Sequence, residues 1–185
     1  MRTLRRALPA GAQQSAARRL QRRILALPEF RKAKRIGLYW PADGEISPLP
    51  ILCACRGRKI IFLPKIIRGG KLRFRLYRGR RGLKKNGFGI PEPAQGPDIH
   101  PKALDIVLLP LVAFDRQGNR LGMGSGYYDK SFAFLRQHHR PAKPLLIGLA
   151  HSFQECGQLP ADPWDIPLAA IVTPSQLFRF SRRPH

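Results

Sequence analysis

The sequence predicts a three-layer α/β fold built on a mostly parallel sheet. Apolar runs of strand length recur along the chain and alternate with helical patterns, an order typical of this class. The runs at 105–110 and 145–150 are apolar almost throughout, as expected for strands buried on both faces. The chain has 185 residues, of which 43% are hydrophobic, so a single domain spanning 1–185 is expected. Ligand loops in such sheets follow the carboxyl ends of the strands.

The first helix and the first hairpin have the clearest patterns. Residues 13–27 place apolar side chains at steps of three and four, which predicts an amphipathic helix. Residues 71–77 alternate basic and apolar side chains, which predicts a strand with one face on the core. Gly69-Gly70 predicts that this strand forms an antiparallel hairpin with the strand before it. The other predicted elements are strands at 35–40, 59–64, 105–110, 145–150 and 169–173 and helices at 47–55 and 126–138.

Three segments are predicted to lack regular structure. The first is a basic N-terminal arm at 1–11. Its arginines are Arg2, Arg5 and Arg6. This arm is either a frayed, charged terminus or a segment that folds over an anionic ligand. The second is a Gly- and Pro-rich connection at 79–101, and the third is a loose, Arg-rich C-terminal tail at about 176–185.

The net charge is strongly positive. Thirty-four Lys and Arg residues against eleven Asp and Glu residues give +23, and residues 56–85 hold thirteen basic residues and no acidic one. Such a charge attracts polyanions, which include nucleic acid, nucleotides and substrates with several carboxylates. A solvated basic surface without a ligand is the other interpretation. Charge alone does not decide between them.

Other features of the sequence indicate a cytoplasmic protein. Its apolar runs are far shorter than the roughly 20 residues of a membrane span, and the first residues lack the apolar core of a secretory signal. The three cysteines form an odd set without a metal-ligand spacing, so free thiols in a reducing compartment are expected. We therefore expect no membrane interaction.

The glycine-rich loop at 122–126, called the glycine loop below, is the strongest candidate for a binding site. Glycine at every second position lets the backbone approach a ligand and turn its N–H groups toward an anion. Arg120 before it suits a phosphate. Tyr127 and Tyr128 follow, and then Asp129, a hard oxygen ligand suited to Mg²⁺. By glycine spacing alone a tight structural turn is equally consistent, and the pattern matches neither a Walker loop nor the dinucleotide fingerprint.

The segment LLPLVAFDRQGNRLGMGSGYYDKSF resembles the signature of the 5-formyltetrahydrofolate cyclo-ligase family, also called methenyltetrahydrofolate synthetases. An Arg-rich start and the segments YWPADGEI, GIPEP and WDIPL follow the family's order along nearly the whole chain. The resemblance implies a Rossmann-like sheet similar to that of sugar-phosphate isomerases and CoA transferases. It also implies a C–N bond-forming ligase that uses ATP and Mg²⁺ to convert 5-formyltetrahydrofolate to 5,10-methenyltetrahydrofolate.

The resemblance also implies roles for individual residues. The positions that match the family's ATP-binding segments are Arg2, Arg5, Arg6, Arg120, Leu121, Gly122, Met123, Gly124, Ser125, Gly126, Tyr127 and Tyr128. The positions that match its folate-binding segments are Trp40, Glu45, Met123, Gly124, Ser125, Gly126 and Tyr127. Asp129 matches the family's magnesium ligand. Glu45 is expected to accept hydrogen bonds from the pterin and Trp40 to stack on it.

Two positions depart from the family pattern. Some members have a lysine in the glycine loop where this chain has Ser125, and some have a second acid of the metal site where it has Ala169. Asp165 is the nearest carboxylate to that position, and it is a candidate either for the metal site or for a structural role.

The basic charge leaves a second functional class open. A nucleic-acid-binding protein would use the basic residues at 71–81. This hypothesis does not account for the residues of the glycine loop. Capture of a polyglutamated folate is another explanation of the charge. We expect the chain to act as a monomer.

Overall fold

The computed structural model describes residues 1–136 and 143–180. Five α-helices and twelve strands lie in these ranges. The helices are α1 (Arg2–Ala7), α2 (Ala10–Ala26), α3 (Pro28–Lys32), α4 (Leu49–Cys55) and α5 (Tyr127–Phe132). The strands are β1 (Arg35–Gly37), β2 (Ile60–Ile67), β3 (Lys71–Leu76), β4 (Leu83–Lys85), β5 (Pro91–Pro93), β6 (Asp98–Ile99), β7 (Ile106–Pro110), β8 (Ala113–Phe114), β9 (Arg120–Leu121), β10 (Leu145–Leu149), β11 (Ala170–Val172) and β12 (Leu177–Arg179).

Eight strands form the central sheet in the order β12-β11-β10-β7-β1-β2-β3-β6. The five strands from β11 to β2 are parallel to one another. Both flanks are antiparallel, through β12 on one side and through β3 and β6 on the other. The predicted mostly parallel sheet is confirmed, and so is the predicted β2–β3 hairpin.

The core occupies both faces of this sheet, because side chains alternate along each strand. In β7, Ile106 and Leu108 pack on one face, where α2, α3 and α4 supply Leu20, Phe30 and Ile51. The intervening β7 residues pack on the other face, where α5 supplies Phe132. Helices therefore cover the sheet from both sides, which gives the three layers.

Two predictions of local structure were wrong. The connection at 79–101 is not irregular, because β4 and β5 pair there as a short hairpin and β6 extends the central sheet. Strands of two or three residues rich in Pro and Gly leave no periodic pattern in a sequence. The helix predicted at 126–138 begins at Tyr127 and gives way at Phe132 to a 3-10 turn over Ala133–Leu135. Its predicted end lies outside the described residues.

The two ends of the chain are also more ordered than predicted. The arm at 1–11 contains α1 and the start of α2, so it is not a frayed terminus. In the tail at 176–185, β12 pairs with β11 and closes one edge of the sheet. Residues 181–185 of that predicted tail lie outside the described residues. In the part of the chain that the structure describes, no helix is both long and apolar enough to cross a membrane.

Candidate active site

A cavity of about 1100 Å³ opens at the carboxyl ends of β1 and β7. Tyr39 and Trp40 follow β1, Leu111 follows β7, and all three line the cavity. The β4–β5 hairpin, the glycine loop and the loop before β11 supply most of the remaining wall. The position agrees with the rule that parallel sheets bind ligands at the carboxyl ends of their strands.

Three arginines of α1 converge on Asp43, which lines the cavity. Arg2 Nε lies 2.7 Å from Asp43 Oδ2 and the Arg5 guanidinium lies 2.8 Å from the same oxygen, while Arg6 Nε donates to Oδ1. These hydrogen bonds, that from Arg2 foremost, hold the pKa of Asp43 well below its usual range. Arg5 is buried and also donates to the carbonyl of Leu111 at 3.0 Å. We call this group of four residues the Asp43 clasp.

The Asp43 clasp fixes the turn that carries Glu45. Asp43 and Gly44 both have positive φ, 51° and 71°. A Cβ on Gly44 would lie 2.6 Å from the backbone carbon of Arg5, so only glycine allows α1 to approach this closely. Gln13 joins the same two segments by donating to the carbonyls of Arg5 and Gly44. Helix α1 is therefore part of the wall behind Glu45.

Glu45 is half-buried and lines the cavity. Burial raises the pKa of its carboxyl to about 7, although a hydrogen bond from the backbone N–H of Ala42 and the charge of Arg5 act in the opposite direction. Beside it, Trp40 packs at 6.5 Å from the Tyr77 ring, and the Arg80 guanidinium lies 5.7 Å from the Trp40 ring centre. The two residues predicted for the pterin thus lie in one wall of one cavity.

The glycine loop lies on the other side of the cavity, between β9 and α5. The β8–β9 hairpin presents it, and Gly124 and Gly126 take positive φ of 89° and 62°. Apart from the residues next to them in the chain, no described protein atom lies within 4 Å of the Cβ positions of Gly122 and Gly124, so the loop backbone faces open space. This openness is what a close approach by a ligand requires.

Arg120 and Asp129 form an ion pair beside this loop. Arg120 Nη2 donates to Asp129 Oδ1, and Arg120 Nη1 donates to the carbonyl of Ile166. The backbone N–H of Ile166 donates back to Asp129 Oδ1 at 3.1 Å. Arg120, which was predicted to bind phosphate, and Asp129, which was predicted to bind the metal, therefore pair with each other.

The two tyrosines after the loop differ in their surroundings. Tyr127 meets the edge of the exposed Phe88 ring at 6.3 Å, so it lies near the cavity mouth. Tyr128 stacks on Phe132 at 6.3 Å, and burial, followed by the nearby Glu45, raises the pKa of its hydroxyl. Tyr128 therefore stays neutral and connects the glycine-loop wall to the Glu45 wall.

A magnesium ion fits the chemistry of this wall. Asp129, Asp162 and Asp165 all line the cavity. Among the described residues, no three His, Cys, Asp or Glu side chains are grouped closely enough to enclose a metal on their own. Mg²⁺ commonly binds through one or two carboxylates and completes its coordination with substrate phosphates and water. The residues present fit that mode of binding.

The structure brings most of the predicted site residues into this cavity. Trp40, Glu45, Asp129 and every residue of 120–128 line it, as does Asp165. Arg2, Arg5 and Arg6 are not among its lining residues and lie behind Asp43 instead. The Asp43 carboxylate therefore lies between these arginines and the cavity.

Several cavity residues were missed by the sequence analysis. Phe88, Met123 and Trp164 are exposed apolar side chains around the mouth, and only Met123 was predicted. Lys130 also lines the cavity, and its Nζ donates to the carbonyl of Ser125 at 3.1 Å. A basic residue one position after a predicted metal ligand was the available signal for Lys130. Phe88 and Trp164 lie in loops whose conformation depends on tertiary packing, so no local sequence pattern indicated that they would line the cavity.

Comparison with known proteins decides the family. A sequence model described as the 5-formyltetrahydrofolate cyclo-ligase family matches residues 1–174. The chain belongs to this family. It is 35% identical over 185 residues to the 5-formyltetrahydrofolate cyclo-ligase of Escherichia coli K12, covering 97% of this chain and 100% of the relative. It is 37% identical over 177 residues to that of Haemophilus influenzae, covering 93% and 92%.

Solved structures related to the cyclo-ligase family have the same fold. The NMR structure of 5,10-methenyltetrahydrofolate synthetase from Aquifex aeolicus aligns with a TM-score of 0.83 at 33% identity, covering 100% of this chain and 90% of that one. A 5,10-methenyltetrahydrofolate synthetase from Mycoplasma pneumoniae aligns with a TM-score of 0.72 at 26% identity, covering 94% and 93%. The family and the fold expected from the sequence are confirmed.

Proposed function

We propose that the cavity converts 5-formyltetrahydrofolate to 5,10-methenyltetrahydrofolate, with ATP and Mg²⁺ as co-reactant and cofactor and with release of ADP and phosphate. One observation carries the proposal. A single cavity brings Trp40 and Glu45 together with the glycine loop and Asp129, so a folate and a nucleotide phosphate have facing walls to bind. Membership of the cyclo-ligase family supports the folate reaction.

The proposed chemistry activates the formyl oxygen, which is a poor leaving group. The γ-phosphoryl group leaves ADP and bonds to the formyl oxygen. N10 of the folate then attacks the formyl carbon and forms the new C–N bond. Phosphate departs with the formyl oxygen, N10 loses its proton, and the methenyl bridge remains. The protein acts mainly by positioning the reactants and neutralising charge, since no protein nucleophile is needed.

We assign the pterin to the wall of Trp40 and Glu45. The ionised Glu45 carboxylate accepts hydrogen bonds from the pterin's N–H groups, and the indole of Trp40 packs against its ring. Met123, Gly124, Ser125, Gly126 and Tyr127 lie across the cavity and contact the formyl end. The exposed apolar rim supports this assignment, because it would cover the middle of a folate.

We assign the phosphates of ATP to the backbone N–H groups of the glycine loop and to Arg120. Mg²⁺ bound at Asp129 would neutralise phosphate charge during transfer. Arg2 and Arg6 are exposed enough to reach a nucleotide from behind Asp43, whereas the buried Arg5 supports the Asp43 clasp. We propose a monomer as the acting unit and place the reaction in the cytoplasm.

The test is the absorbance of methenyltetrahydrofolate formed by purified protein. We expect product only with ATP and Mg²⁺ both present, and a loss of at least 100-fold in Asp129→Ala, because charge-neutralising groups contribute on that order. Folded protein that forms no product would contradict the proposal. Tight, salt-sensitive RNA binding without turnover would instead support the nucleic-acid-binding function that the basic charge left open.

A further inference from the structure

The cavity lining carries more acidic than basic side chains. Among the described residues that line it, six are acidic and three are basic. The acidic residues are Asp43, Glu45, Glu92, Asp129, Asp162 and Asp165, and the basic residues are Arg120, Lys130 and Arg136. A triphosphate brings several more negative charges, and its transfer requires cations aimed at the moving group. Most of the excess positive charge of the chain lies outside this lining, and of it we assign only Arg2 and Arg6, behind Asp43, to the nucleotide.

Arg120 and Arg136 make contacts that differ from those of Lys130. Arg120 is 8% exposed and is shared between Asp129 and the carbonyl of Ile166, so only part of its charge is directed at a phosphate. Arg136 follows the 3-10 turn over Ala133–Leu135 and donates to the carbonyl of Ala133.

Lys130 is held differently. Its side chain lies between the glycine loop and the turn that joins β2 to β3: Nζ donates to the carbonyl of Ser125 and lies 3.6 Å from the Cβ position of Gly70. Its Cε lies 3.7 Å from the Cβ position of Gly126, so the aliphatic stem covers the end of the loop. Among the described residues, that neutral carbonyl is the hydrogen-bond partner of an ammonium with three donors. At least one donor is therefore available to a ligand above the loop.

We propose that Lys130 contacts the phosphoryl group in transfer and is a catalytic residue. This inference rests on the proposed function. As the bond from phosphorus to the ADP oxygen breaks and the bond to the formyl oxygen forms, negative charge is spread over the three other phosphoryl oxygens. The ammonium stabilises this charge from above the glycine loop, and no proton passes through it. The backbone carbonyl of Ser125 positions the Lys130 ammonium, and the Ser125 side chain itself carries no charge.

A purely structural role makes different predictions. If Lys130 only braces the loop, its loss would raise KM for ATP and folate and leave kcat nearly unchanged. If it contacts the transferred group, its loss lowers kcat. We expect Lys130→Met to lower kcat by about 100-fold, the size found when one stabilising donor is removed. We expect KM for the folate to stay within about threefold and the melting temperature to be unchanged.

A second variant supplies the rescue. Ser125→Lys added to Lys130→Met places a new ammonium on the loop itself, and we expect it to restore at least tenfold of kcat. Lys32→Met, at the exposed end of α3, is the matched control and should behave like the wild type.

Each outcome is decisive. Unchanged kcat in Lys130→Met, or a change confined to KM, with an active wild type overturns the Lys130 proposal alone. Absence of turnover in folded wild-type protein overturns the proposed function and this inference together.

Discussion

Glu45 has a charge that changes within the physiological pH range. Burial in the cavity wall raises the pKa of its carboxyl to about 7. A protonated carboxyl loses half of its ability to accept hydrogen bonds from the donor edge of a pterin, because it then carries a donor of its own. Folate binding should therefore improve as the residue ionises.

The kinetic prediction for Glu45 concerns pH. KM for 5-formyltetrahydrofolate should fall by up to about tenfold between pH 6 and pH 8 in the wild type, since a tenfold change corresponds to one pKa unit. In Glu45→Gln, KM should be higher at pH 8 and nearly independent of pH. Initial rates across a pH series measure both. A variant that keeps the full pH dependence would remove Glu45 as its source.

The same carboxyl predicts a pH dependence of stability. Its folded-state pKa lies above the value of about 4.3 for an exposed glutamate, so the unfolded chain ionises first as pH rises. The free energy of unfolding therefore falls between about pH 4 and pH 7 and stays low above that range. Glu45→Gln removes this loss, and we expect it to stabilise the protein by about 1–3 kcal/mol more at pH 8 than at pH 4.5. Equal stabilisation in urea unfolding at both pH values would contradict the assignment.

The helix α1 shows how one element completes a site without lining it. Its three arginines hold Asp43, and the turn at Asp43 leads directly to Glu45. Arg5 is 1% exposed, so the Asp43 carboxylate neutralises a guanidinium that has no access to water. Two exposed arginines beside it extend this positive region to the surface.

Removal of the Asp43 carboxylate should therefore be costly. Asp43→Asn removes the carboxylate that pairs directly with the buried Arg5, a change that typically costs about 3–5 kcal/mol. We expect a loss of that order in the free energy of unfolding and a rise in KM for the folate larger than the fall in kcat. Asp98→Asn is the control, because it breaks the more exposed pair with Arg75 far from Glu45 and should cost about 1 kcal/mol or less. Equal losses in the two variants would show that the Asp43 clasp has no special role.

Sequence reasoning predicted the elements with strong periodicity and missed those held by tertiary contacts. The parallel strands, α2 and the β2–β3 hairpin have patterns that local physics determines. Helix α1 has only about one and a half turns, and its contacts with Asp43 hold it in place. Asp43 lies 36 positions after the last residue of the helix. The β4–β5 hairpin likewise depends on packing against its neighbours. In the glycine loop the sequence predicted which residues meet, but not that Arg120 would be committed to Asp129.

At the scale of the whole molecule, charge is divided between an acidic cavity lining and a basic exterior. The chain carries +23, yet the described lining of the cavity has twice as many acidic as basic side chains. On β2 and β3, Lys65 and Arg73 lie directly opposite each other. Their neighbours on the same strands, Ile66 and Leu72, line the cavity. Because side chains alternate along a strand, Lys65 and Arg73 project from the face opposite to the cavity, where the pKa of Asp98 is lowered by a hydrogen-bonded arginine and, less strongly, by their charges.

This arrangement predicts a salt-dependent preference for a polyanionic tail. KM for a polyglutamated folate should be lower than KM for the monoglutamate at low salt, and the ratio should shrink as salt rises. A ratio that is independent of salt in the wild type would remove the tail as an explanation of the charge.

The proposed reaction depends on phosphorylation of the formyl oxygen in this cavity. The direct measurement starts from 5-formyltetrahydrofolate labelled with ¹⁸O in the formyl group and follows the label by mass spectrometry of the phosphate released during turnover. Each phosphate formed should carry one ¹⁸O atom, because the formyl oxygen leaves bonded to phosphorus. Methenyltetrahydrofolate formed together with unlabelled phosphate would contradict the mechanism.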